Sequence, residues 1–154
     1  MEAKQNAAET GMLVRKPVSE VFNAFIDPEI TTKFWFTKST GKLEAGKEVT
    51  WSWEMYGVRD IVIPKEIVAN KKIVIEWGAG GEMSRVEWTF TEMSLQATFV
   101  SIINDGFTGD PASIQQKAKD SQGGFSLVLA GLKAWLEFGI QLNLVADRFP
   151  GGKP

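Results

Sequence analysis

From Lys47 to Ile103 the chain alternates apolar and polar residues with period two, and from Gly123 it takes up the period of a helix. That order of periodicities leaves few folds open. Val49, Trp51, Trp53 and Met55 alternate with Glu48, Thr50, Ser52 and Glu54, as in a half-buried strand. Val58–Val68 reads as a long strand in which Pro64 marks an edge or a bulge. Lys72–Trp77, Met83–Glu92 and Leu95–Ile103 follow, separated by turns at Ala69–Lys71, Gly78–Gly81 and Met93–Ser94. A meander of this kind has one core-facing side and needs a cover. Phe125, Val128, Leu129, Leu132, Trp135, Leu136, Ile140 and Leu142 form a helical stripe that can supply it.

The flanks complete the outline. Thr10–Arg15 reads as a strand, and Pro17 opens a short helix carrying Val18, Val21, Phe22, Phe25 and Ile26. Asp27-Pro28 ends it, Glu29–Trp35 forms a second short helix, and Thr37–Gly46 is a loop. A further short helix is expected over Pro111–Lys119, broken at Gly123-Gly124 from the last helix, which is expected to end near Ala146–Arg148. The expected class is α+β: a curved antiparallel sheet of about six strands wrapped around a long C-terminal helix, with two short helices after the first strand. Residues 1–154 read as one domain, with room for a cavity between sheet and helix.

Composition removes whole classes of chemistry. There is no Cys and no His, which excludes disulfides, thiolate nucleophiles, the Ser–His triad and nearly every transition-metal site. Seventeen basic against nineteen acidic residues give a net charge of −2, so no nucleic-acid partner is expected. No cofactor or metal site is indicated. Gly78–Gly81 lacks the Gly-Lys-Ser/Thr ending of a phosphate loop, and Asp105 and Asp110 lack calcium-loop spacing. The apolar run Gly123–Ala146 carries Lys133 and Glu137 near its middle, so no membrane span is expected. Met1–Thr10 does not resemble a secretory signal, and the expected location is cytoplasmic.

Several segments resemble a known superfamily. Arg15-Lys16-Pro17-Val18-Ser19-Glu20-Val21-Phe22-Asn23-Ala24-Phe25 is similar to the opening of SRPBCC proteins, also called START-like or birch-pollen-allergen-like. Phe34-Trp35-Phe36, Gly46 before the Trp51/Trp53 strand, and Ile73–Trp77 follow the same order. The run Gly124–Glu137 resembles the final helix of one branch, the homologues of the activator of the ninety-kilodalton heat-shock-protein ATPase. The resemblance implies the helix-grip fold, which the periodicity suggests independently. It also implies a choice among ligand binders, polyketide cyclases and co-chaperones that fold alone does not make.

Six Trp and ten Phe point to an aromatic-lined cavity or a bulky core. The expected function is binding of a small apolar ligand, with Trp51, Trp53, Trp88, Phe90, Phe125, Leu129, Leu132 and Trp135 lining the site. Most charged strand residues read as a solvated face with cross-strand pairs. Arg59 and Glu76 sit among apolar neighbours and are the candidates to face inward and orient a polar ligand group. No residue is assigned as catalytic. The alternatives are a protein-interaction module resembling the heat-shock ATPase activator, and a cyclase- or hydratase-type enzyme using carboxylate acid–base chemistry. A second stripe on the last helix, Leu127, Gly131, Ala134, Phe138 and Val145, is too apolar for open solvent. A homodimer is its expected cover, with intramolecular packing under Pro111–Lys119 or the N-terminal segment as the alternative.

Overall fold

Every alternating run forms a strand in the computed structural model, which describes residues 6–79 and 81–152. The order is β1 (Ala8–Val14), α1 (Val18–Ile26), α2 (Pro28–Thr31), β2 (Lys38–Ser39), β3 (Val49–Trp53), a 3-10 turn at Glu54–Tyr56, β4 (Val58–Val68), β5 (Lys72–Ala79), β6 (Glu82–Ser94), β7 (Ala97–Asp105), α3 (Pro111–Phe138) and α4 (Leu144–Asp147). The strands make one seven-stranded antiparallel sheet in the order β1-β7-β6-β5-β4-β3-β2. Strands β3 to β7 are the expected meander, and β1 returns to pair with β7, Leu13 opposite Phe99. The short strand β2 lies in the stretch read as a loop and pairs with β3.

Pro64 is not at an edge, because β4 runs between β3 and β5. It sits at a register shift between Pro64 and Glu66, which is the bulge alternative. The bulge reverses the strand's sidedness. Val62 and Pro64 are buried before it, whereas Ile67 packs on the core after it.

Two expectations about the helix are corrected. The Pro111–Lys119 helix and the last helix are one continuous helix, α3, passing through Gly123 and Gly124 without a break. Each glycine disfavours a helix by only about 1 kcal/mol, less than the burial of Phe125, Val128, Leu129 and Leu132 supplies in the next turns. Asp110 caps the start by accepting a hydrogen bond from Ser113 N at 2.8 Å, with Pro111 in the first turn. The helix also stops earlier than expected. Gly139 adopts a left-handed φ of 66° and its N–H donates to Trp135 O at 2.9 Å. Ile140 and Leu142 therefore leave the stripe and lie 51% and 45% exposed.

The helix lies over β1 and β7, towards one side of the concave face. Its side chains meet the free backbone edge of β1. Glu9 N donates to Gln122 Oε1 (3.2 Å), Lys133 Nζ to Leu13 O (2.8 Å), and Arg15 N to Glu137 Oε2 (2.8 Å). Leu129 and Leu132 fill the core beneath with Val14, Val21, Val100 and Ile102. This one-sided seat leaves a hollow over β3, β4 and β5.

Candidate functional site

Aromatic rings floor that hollow. Trp35, in the turn after α2, is their hub: its ring centroid lies 4.8 Å from Trp51, 5.5 Å from Phe125, 5.8 Å from Trp77 and 6.2 Å from Trp53. These are mostly edge-on contacts, the arrangement that ring quadrupoles favour. Beyond the rings the packing stops at a cavity of about 470 Å³, lined by Trp35, Trp53, Trp77 and Phe125 and bounded by Tyr56, Phe107, Leu127 and Val128. Gly124 forms part of its wall, and a Cβ added there would meet no atom within 4 Å. Of the two glycines read as a helix break, Gly124 is instead where α3 omits a side chain beside the cavity.

The segment after α3 completes the wall. Val145, Arg148 and Phe149 line the cavity, and the lone tyrosine holds them in place. Tyr56 Oη donates to the carbonyl of Val145 and lies 3.3 Å from that of Ala146, with its ring 6.3 Å from Phe149.

Nearly all polar groups at the cavity are engaged. Asn104, buried on β7, donates to Ser84 Oγ (3.0 Å) and Arg85 O (2.8 Å) and accepts from Ser121 Oγ (2.8 Å). Lys117 Nζ donates to Thr108 O at 2.8 Å and pairs with Glu82 at 3.4 Å. Asp120 accepts from Gln116 at 2.8 Å, and Arg148 lies over the Phe149 ring at 4.4 Å. Asp60 differs. No hydrogen bond or ion pair reaches its side chain among the described residues, and burial holds its carboxyl above the ordinary 3.8.

The structure divides the residues singled out in the sequence. Trp53 and Phe125 line the cavity. Trp51, Trp88, Phe90, Leu129 and Leu132 are buried in the core beneath it, with the Trp88 indole N–H lacking an acceptor among the described residues. Trp135 lies away from the cavity, where Lys33 Nζ sits 5.6 Å above its ring. Arg59 and Glu76 do not face inward. Arg59 is exposed, and Glu76 is on the solvent side, 3.9 Å from Lys65. The second stripe is not left for a partner as a whole. Gly131 packs against Phe34, Leu127 and Val145 line the cavity, and only Phe138 is largely exposed, at 69%. Cover by Pro111–Lys119 is ruled out because those residues belong to the same helix.

Sequence reasoning missed Trp35, Tyr56, Asp60, Trp77, Phe107 and Phe149. The pairing register carried a signal for Asp60: it stands opposite Trp51, so an inward Trp51 requires an inward Asp60. Among the described residues no cluster of three or more His, Cys, Asp or Glu could hold a metal ion, and no helix is long and apolar enough to cross a membrane.

Comparison with known proteins agrees with this architecture. Residues 15–137 match the family described as Activator of Hsp90 ATPase homolog 1-like protein. The chain belongs to that family. No curated protein matches it. Similar solved structures include protein SSP2350 from Staphylococcus saprophyticus, with 28% identity over 88% of this chain and 95% of that one and a TM-score of 0.73. The Aha1 dimer from Colwellia psychrerythraea has 13% identity over 86% of this chain and 97% of that one, with a TM-score of 0.71. PFC0360w, an HSP90 activator from Plasmodium falciparum, has 18% identity over 86% and 96%, with a TM-score of 0.67. The last two establish the shared fold, an α+β helix-grip-like sheet and helix.

Proposed function

We propose that this family member binds a small hydrophobic ligand between the sheet and α3. The observation that carries the reading is an open-mouthed cavity of about 470 Å³ over a close-packed aromatic core. It is large enough for a compact apolar molecule, and its walls are predominantly rings and aliphatic groups. Glycine at position 124 maintains that space where a larger residue would project into it. The test uses Nile red, a neutral dye that brightens in apolar surroundings, with tryptophan quenching as a second signal. Wild type and Gly124→Ala bind it, whereas Gly124→Trp binds at least about tenfold more weakly while still melting cooperatively. Equal binding by Gly124→Trp and wild type would place the dye elsewhere and remove this reading.

Family membership favours a second reading as a partner of an Hsp90 chaperone. Phe138, Ile140 and Leu142, exposed at and after the end of α3, are the contact this reading would use. Phe138→Glu then abolishes any stimulation of Hsp90 ATPase turnover without changing Nile red binding. An Hsp90 whose turnover is indifferent to the wild-type protein removes it.

A further inference from the structure

We propose that the cavity takes an apolar ligand bearing a protonated amine, with the Asp60 carboxylate as its counter-ion and aromatic faces around its cationic end. This rests on the cavity being a ligand site, and it names the chemical class of the ligand.

Three observations converge on it. The first is placement. Asp60 stands opposite Trp51 across the β3–β4 pair, so both side chains project from the concave face, and Asp60 belongs to the cavity wall. The second is that Asp60 is left over. Asn104, Ser84 and Ser121 satisfy one another, Lys117 is held by Glu82 and Thr108, Asp120 by Gln116, and Tyr56 by the Val145 carbonyl. Asp60 alone among the wall's acidic groups has no hydrogen bond or ion pair among the described residues. A half-buried carboxylate in apolar surroundings is unfavourable unless a donor or cation meets it. The third is the surrounding chemistry. Trp53, Trp77, Tyr56 and Phe149 share this wall, and aromatic faces attract ammonium groups.

An anionic ligand fits less well. Lys117 is already neutralised by Glu82, and Arg148 is exposed and lies over the Phe149 ring. The wall carries Asp60, Glu82 and Asp120 against Lys117 and Arg148, an excess of one negative charge.

The experiment compares naphthylethylamine, naphthylethanol and naphthylacetate, which share one ring system and differ in charge. Their affinities are read by displacement of Nile red at neutral pH. Wild type binds the amine about tenfold more tightly than the alcohol, and the acid most weakly. Asp60→Asn keeps the shape of the side chain, retains alcohol binding and brings the amine down to the alcohol's affinity. Equal binding of amine and alcohol by wild type overturns the inference, as does a preference that survives Asp60→Asn. Tighter binding of the acid also overturns it and assigns control to Arg148. In those cases the alcohol and Nile red still bind, so the hydrophobic site stands. Failure of all three compounds and of Nile red removes the site and the inference together. The wild-type series decides the matter even if the variant does not fold.

Discussion

Replacing Glu137 tests how α3 is fixed to the sheet. Its carboxylate, with the side chain 9% exposed, accepts from Arg15 N at 2.8 Å and from Lys133 Nζ at 2.7 Å. Lys133 in turn donates to Leu13 O, so two side chains of the last helical turns hold the free edge of β1. Glu137→Ala removes a charged hydrogen bond worth about 1.5–3 kcal/mol net and an i,i+4 pair worth about 0.3–0.5 kcal/mol. The expected loss is about 2–3 kcal/mol, roughly 5–10 °C in melting temperature for a chain of this size. Glu137→Gln retains an acceptor and should lose about half as much. The pH dependence separates this from loss of packing. Burial alone would raise the Glu137 pKa, but the Arg15 N–H, the Lys133 hydrogen bond and the charges of Lys133 and Arg15 outweigh it, so the native value lies below the ordinary 4.5. The native state therefore holds this proton less tightly than the unfolded chain. The stabilisation is complete above the unfolded value and drains away as pH falls through the lower native one. Urea melts of wild type and Glu137→Gln at neutral pH and at about pH 3 should show a gap that narrows in acid. A loss by Glu137→Ala under about 0.5 kcal/mol, or a gap unchanged by acid, would refute the edge-clasp argument.

Other substitutions probe the core, the helix and the cavity wall. Leu132→Ala empties a fully buried site and should lose about 2–5 kcal/mol, against about 1 kcal/mol for Lys133→Ala; equal losses in denaturant melts would contradict the helix phase. Gly124→Ala should gain about 0.5–1 kcal/mol, because its Cβ enters open space, whereas Gly131→Ala should show no gain, because its Cβ would lie 3.1 Å from Phe34 Cβ and 3.3 Å from Phe34 O. Trp88→Phe removes a buried N–H that has no acceptor among the described residues and should lose only about 1 kcal/mol by urea melt, despite the smaller ring. Asp60 binds its proton more tightly when folded, so it opposes folding as pH rises from 3.8 through its higher native value; Asp60→Asn should melt at or above wild type at neutral pH.

The alternation of Val49, Trp51 and Trp53, the α1 spacing of Val21, Phe22 and Phe25, and the stripe from Phe125 to Leu132 were all legible as a half-buried sheet and its covering helix. Each is a local pattern imposed by one element's geometry against one core, so a single sequence carries it. Element ends were less legible. Gly139 terminates α3 in a left-handed conformation, while Gly123 and Gly124 remain helical, and composition does not distinguish those outcomes. What differs is the packing that follows each glycine.

The sequence by itself determined the strands β1 and β3 to β7, the presence of a covering helix after them, their order, and which broad face of sheet and helix is apolar. Tertiary structure decided which polar side chain enters the cavity. Ile61, Ile63 and Ile67 make the odd positions of β4 look buried, which would carry Arg59 inward with them. The bulge between Pro64 and Glu66 exchanges the two faces, so Ile67 faces the core while Ile61 is 44% exposed and Asp60, not Arg59, lies on the concave side. A one-residue slip flips every side chain beyond it, and its position depends on pairing with β5 as well as on the strand's own sequence. The cavity has the same origin. It exists because α3 is fixed to the β1 edge by Gln122, Lys133 and Glu137 rather than centred on the sheet, an arrangement made by contacts more than a hundred residues apart in the chain.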